Sequence, residues 1–141
     1  MYLYVSGGGA IAREFEMSAV QVTVLDEGDL TITAFNVVHA PVFPAVGYRF
    51  DYKGRSLCIS GDTAQSANLE KACEGVDILV HDALQPSMVK DMERAMAARG
   101  NTIAATIFGD ILDYHASPEQ GAESAQTAGV GMLVLSHLVP P

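Results

Sequence analysis

The sequence predicts a mixed α/β fold in which antiparallel hairpins come first and strands alternating with helices follow, the helices covering a sheet. Three features lead there. Residues 20–38 alternate apolar and polar side chains on either side of Asp26-Glu27-Gly28-Asp29, the period of half-buried strands joined by a turn. From Ser66 onward, capping residues and terminating glycines punctuate stretches of helix length. Between those stretches lie compact apolar runs at 77–80 and 132–136, of the length of buried strands and too short for helices.

The elements follow in order. Residues 20–25 and 30–38 form the first hairpin. Residues 46–52 and 56–60 form a second around Lys53-Gly54-Arg55, with glycine in the tight turn. Ser66 caps a helix over 67–74 that Gly75 ends, and a strand at 77–80 leads into His81-Asp82. Pro86-Ser87 opens a helix to about Ala98, and Arg99-Gly100-Asn101 separates it from a helical stretch at 102–112. Ser117-Pro118-Glu119-Gln120 is a capping signature: serine at the N-cap, proline at the first helical position and glutamine three residues after the cap. That helix runs to Ala128, Gly129 stops it, and residues 132–136 make a last strand ending at His137.

The chain has 141 residues, enough for a single domain over 1–141 with its own core. A formal net charge of −9 argues against a broad basic surface for nucleic-acid backbones. The apolar runs are too short to cross a bilayer, and Met1 with the eight residues after it lacks the cationic start and apolar stretch of a secretory signal. A cytoplasmic protein with no membrane partner is the expectation. Cys58 and Cys73 stand apart, with no CxxC spacing, and read as two buried reduced thiols in preference to a disulfide or a zinc knuckle.

Three apolar strands end at a side chain able to bind a metal or move a proton: 57–60 at Asp62, 77–80 at His81-Asp82, and 132–136 at His137. In α/β sheets the crevice beyond the strand carboxyl ends holds loop residues on a rigid base, so these groups have a common place to meet. His115 joins them from the loop before the capped helix. Carboxylate and imidazole suit zinc and similar divalent ions; a carboxylate can bridge two metals and an imidazole binds one. Bland alternatives stay open for each: Asp62 as a turn or capping residue, and His81 as a buried histidine satisfied by backbone. His39, ahead of Ala40-Pro41, reads as a structural strand-end residue.

Five segments in order carry a resemblance: "HAPVFPAVGYRF" (39–50), "GRSLCISGDT" (54–63), "DILVHDAL" (77–84), "YHASPEQGAESAQTAGV" (114–130) and "LVLSHLVPP" (133–141). Together they resemble the C-terminal half of the αββα metallo-β-lactamase sandwich, in its ribonuclease Z and arylsulfatase-like branch, over about residues 20–141. The resemblance implies that Asp62 is a bridging metal ligand and His137 a late metal-binding histidine. It implies that His115 assists proton transfer to the leaving group, although Ala116 stands where the family has a hydroxyl residue. His81-Asp82 matches a His-Glu-Ala segment, with aspartate in place of glutamate, and is a candidate second shell. The family's HxHxDH motif and a further metal histidine are absent from this chain, and His39 is not taken to replace them.

On that basis the expectation is a fragment of a metal-dependent hydrolase whose intact parent holds two divalent ions, zinc foremost with manganese and iron as alternatives. The parent acts on a phosphodiester, as in tRNA 3′ processing, or on a related small ester, through a metal-activated water. Asp62 and His137 supply two ligands where a catalytic zinc takes about three, so the chain alone is expected to bind metal weakly and to be inactive or nearly so. The alternative is a non-catalytic module whose uncovered sheet face pairs with a second copy or another chain.

Overall fold

Alternation and turn chemistry build the first four strands of the computed structural model, which describes residues 12–140. The stretch at the start of the chain that was examined for an export signal lies outside the described residues. β1 (Gln21–Glu27) pairs antiparallel with β2 (Leu30–Asn36), β2 with β3 (Val46–Tyr52), and β3 with β4 (Arg55–Ile59), so both expected hairpins form. Ser66 then accepts the Leu69 amide as N-cap of α1 (Ala67–Ala72), which leads to β5 (Ile78–Leu84), parallel to β4. α2 (Pro86–Ala98), α3 (Thr102–Asp110) and a 3-10 turn (Ile111–Asp113) precede α4 (Pro118–Ala128), which opens with the reciprocal Ser117–Gln120 capping box. β6 (Met132–Val139) completes the sheet parallel to β5, and the six strands lie side by side in chain order. No helix among the described residues is long and apolar enough to cross a membrane.

One face of the sheet carries the core. Phe35, Cys58 and Leu79 point to it from β2, β4 and β5 and meet Leu69, Ala72 and Cys73 of the α1 region and Ala125 of α4. The other face presents two apolar rows set by the strand register: Ile32, Phe50, Leu57, Ile78 and Met132, then Ala34, Tyr48, Ile59, Val80 and Val134. Phe15 covers part of the second row, edge-on to Tyr48. Towards β6 the rows stay open, with Ile59, Met132 and Val134 all exposed.

Three expectations need correction. β5 does not stop at Val80 but runs through His81 and Asp82 to Leu84, because β6 pairs with it along that whole length. Likewise β6 continues past His137. Asp82 pairs with Ser136 and Ala83 with Leu138, which leaves His137 as the extra residue of a bulge, at φ +46°. The thiols are not reduced: Cys58 and Cys73 form a disulfide that joins β4 to the end of α1. Their spacing of 15 residues hid the contact, but the fold brings their Cα atoms to 5.7 Å, inside the range a disulfide spans.

A closed loop of that length removes chain entropy from the unfolded state worth about 3 kcal/mol. Reducing the Cys58–Cys73 bond, or Cys73→Ala, is therefore expected to lower unfolding stability by roughly 2–4 kcal/mol in urea titrations with and without reductant. Coincident midpoints would show that the bond does not constrain the chain.

Candidate metal centre

The loop after β4 begins with a backbone that only glycine fits. Gly61 has φ +64°, and a Cβ there would lie 2.7 Å from the Val46 carbonyl oxygen of β3. That tight turn delivers Asp62. The next two residues hold a second segment: Val38 N–H donates to Thr63 Oγ1 at 3.0 Å, and Ala64 N–H donates to the Val38 carbonyl at 2.8 Å. His39 follows Val38 directly and is thereby carried beside Asp62.

Asp82 positions the third member. Its side chain is buried on β5, and Oδ2 accepts from His115 Nδ1 at 2.9 Å and, more weakly, from the Thr63 amide at 3.4 Å. The Asp82 amide donates to Ser60 Oγ at 3.0 Å. His81 Nδ1 lies 2.8 Å from the Asp82 carbonyl and 3.1 Å from Oδ1; the nearer carbonyl takes the hydrogen bond, which leaves Oδ1 without one. Burial alone raises the Asp82 carboxyl, but the hydrogen bond from His115, the neighbouring His81 and the Thr63 amide outweigh it and hold the carboxyl below its usual range. A carboxylate only accepts, so His115 Nδ1 carries the proton and Nε2 is the nitrogen left for other chemistry.

His39, Asp62 and His115 each offer one donor atom, and these atoms lie within 4.8 Å of one another. The imidazoles of His39 and His115 meet edge-to-face at 5.4 Å, and His115 stacks on His137 at 5.7 Å. His137 Nε2 stands 3.6 Å from Asp62 Oδ1. Two donors bound to one tetrahedral ion at about 2.0–2.2 Å are separated by about 3.3–3.6 Å, so the Asp62–His137 spacing suits a shared ion. Buried His39 Nδ1 has no hydrogen-bond partner among the described residues. An oxygen donor among three imidazoles, one backed by a buried carboxylate, is the donor chemistry of a zinc-type centre.

The structure thus brings together Asp62, His115 and His137, with Asp82 directly behind His115. His81 is not one of the grouped donors: its Nδ1 lies 3.1 Å from Asp82 Oδ1, and a Cβ on Gly121 of α4 would be 3.7 Å from its ring. His39 is the residue that sequence reasoning set aside, and it stands in the cluster. The signal available was its place at the end of a strand, which it shares with the other candidates.

A match to the Beta-lactamase superfamily domain covers residues 6–138. The chain belongs to this superfamily. Among curated proteins it is 38% identical over 117 residues to a ribonuclease Z of Mycobacterium avium (strain 104), covering 83% of this chain and 38% of that protein. A ribonuclease Z of Mycobacterium tuberculosis (strain ATCC 25177 / H37Ra) is 33% identical over 115 residues, 82% of this chain and 38% of that one. The chain therefore spans about two fifths of the length of these relatives. Among solved structures, the short form of human tRNase Z superposes with a TM-score of 0.61 at 23% identity, covering 84% of this chain and 39% of that chain. The metallo-β-lactamase fold protein YhfI of Bacillus subtilis gives 0.55 at 22% identity, over 81% of this chain and 39% of that one. The fold is that of the metallo-β-lactamase superfamily.

The turn that delivers Asp62 can be tested against one of like backbone. Gly75→Ala meets open space at φ +67° and is expected to lose about 1–2 kcal/mol of stability, the left-handed penalty alone. Gly61→Ala adds the collision with the Val46 carbonyl and is expected to lose roughly 1–3 kcal/mol more. Denaturation midpoints of the two variants measure this; equal losses would mean that the β3 contact is not tight.

Proposed function

We propose that this chain carries one wall of a divalent-metal centre that hydrolyses RNA phosphodiester bonds, in the manner of the ribonucleases Z it is similar to. The observation that carries the proposal is the convergence of His39, Asp62 and His115 donors within 4.8 Å, with His137 beside Asp62. Asp62, which offers two oxygens, would be the ligand shared between the ions, and His39 and His137 would each hold one through a ring nitrogen. Donors from a portion matching the rest of the relatives' length complete the centre. Divalent cations held there supply Lewis acidity and a water activated near neutral pH.

His115 has a different part. The buried Asp82 carboxylate holds Nδ1 and so fixes the tautomer, leaving Nε2 as the atom that passes a proton to the departing ribose oxygen as the P–O bond breaks. Asp82 is the positioning residue for that step. Zinc is the first choice of metal, and manganese and iron suit the same donors.

A second reading rests on the open sheet face: with Ile59, Met132 and Val134 exposed, the chain pairs with another through that face. Size-exclusion mass separates the two, since a monomer binding zinc stoichiometrically is incompatible with an obligate paired module.

The assignment of roles is tested by zinc affinity, measured by competition with a chromophoric chelator. Asp62→Ala, His39→Ala and His137→Ala are each expected to weaken binding by about tenfold or more, whereas His115→Ala stays within about threefold of the parent chain. A loss with His115→Ala as large as with His39→Ala would make His115 a ligand. Undiminished affinity in Asp62→Ala would remove the metal centre altogether.

A further inference from the structure

We propose that Phe43 is a stacking platform for a nucleobase next to the cleaved phosphodiester, an inference that rests on the RNA reading of the metal centre. Phe43 is 84% exposed, while Phe35, the same residue type one strand away, is fully buried. A phenyl ring left almost wholly in water contributes nothing to the core, and it stands four residues after His39 in the loop between β2 and β3.

The loop is built to hold that ring near the donors. Its base is closed by Val37 N–H donating to the Ala45 carbonyl at 3.0 Å, and Val42 N–H donates back to the His39 carbonyl at 2.8 Å. Pro41 and Pro44 flank the ring and fix φ on either side of it, so little backbone entropy remains to be lost when a ligand binds. Val42 and Ala45, on either side of Phe43, line a cavity of about 330 Å³ together with His39, Val46 and Asp62. The ring thus stands in the loop whose Val42 and Ala45 line a hollow together with Asp62, the proposed shared ligand.

Charge explains why stacking is needed. The chain has eight Lys and Arg against 17 Asp and Glu, and neither lysine nor arginine is among the described residues that line the cavity. Phosphate neutralisation, the usual source of nucleic-acid affinity, finds no basic side chain in that lining. Aromatic stacking on unpaired bases is independent of backbone charge and contributes substantially to each base held.

The sequence contains no tryptophan, so Phe43→Trp introduces a single tryptophan, excited selectively over the tyrosines, at the proposed platform. The zinc-loaded chain is titrated with a five-nucleotide oligoadenylate RNA, with ribose 5-phosphate as a probe that has the sugar and phosphate but no base. The RNA is expected to quench Phe43→Trp emission, and ribose 5-phosphate to leave it unchanged. Phe43→Ala is expected to weaken RNA affinity by about 5- to 150-fold, with ribose 5-phosphate affinity and zinc affinity as in the parent chain. Phe43→Tyr restores RNA binding to within about threefold, since a ring is again present. The ratio of parent to Phe43→Ala affinities stays constant with added salt, because both proteins share the same phosphate contacts. Equal RNA affinities in the parent chain and Phe43→Ala, or unquenched Phe43→Trp at saturating RNA, would overturn the stacking role and leave the metal centre standing. A zinc-loaded parent chain that binds no RNA would overturn the stacking role and the RNA reading together, and would assign the exposed ring to contact with protein.

Discussion

The Asp82 carboxylate is buried on β5, paired with β6 and two residues beyond the last β4 partner, where an isolated charge has no place. It is tolerated because segments distant in sequence satisfy it: the His115 ring, the Thr63 amide, and Ser60 through the Asp82 backbone. These are the segments that carry the candidate donors. Thr63 follows Asp62 and fastens Val38 and hence His39, while His115 belongs to the cluster itself. Satisfying a buried charge and orienting an imidazole are met by the same hydrogen bond, so the stability of the fold and the geometry of the site are coupled at one residue.

Strand ends bring the remaining donors to that point. β4 and β6 flank β5, and each releases its polar residue beyond the paired apolar run. The release differs between them. After β4 a left-handed glycine turns the chain sharply enough to set Asp62 against β3, whereas in β6 the pairing continues and one residue, His137, is extruded as a bulge at positive φ. A non-glycine residue in that region costs about 1–2 kcal/mol, which the pairing of Leu138 and Val139 beyond it offsets. Bulges of this kind re-aim side chains beside functional sites, and here the outcome is an imidazole 3.6 Å from Asp62.

Much of this was legible in the sequence, and the parts that were not have a common cause. The hairpins, the Ser66 cap and the Ser117–Gln120 box formed as read, because alternation, turn glycines and caps act between residues close in the chain. Asp62 and His137 were legible as candidates because each ends a recognisable strand, and His115 because it precedes a capped helix. The Cys58–Cys73 bond, the extension of β5 through His81-Asp82 and the place of His39 depend instead on pairing between distant segments. His39 is the sharpest case. Next to Ala40-Pro41 it has the local context of a strand end, and only the Val38–Ala64 bridge and the Thr63 hydroxyl, about 25 residues on, bring it to Asp62. Local physics specified which elements form, and long-range pairing specified which of their ends meet.

The open sheet face and the metal centre are parts of one arrangement. Ile59 stands three residues before Asp62 and Val134 three before His137, a distance of about 10 Å along an extended chain. Both belong to the same apolar row, which Tyr48 and Val80 continue across β3 and β5. A layer that removes this row from water thus ends within reach of the donor cluster. Burying the row is favourable by the area it withdraws from solvent, and it brings any polar groups at the rim of that layer to the side of Asp62 and His137 that α1 and α4 leave free. A neighbour that covered the sheet would therefore also be placed to complete the proposed metal centre.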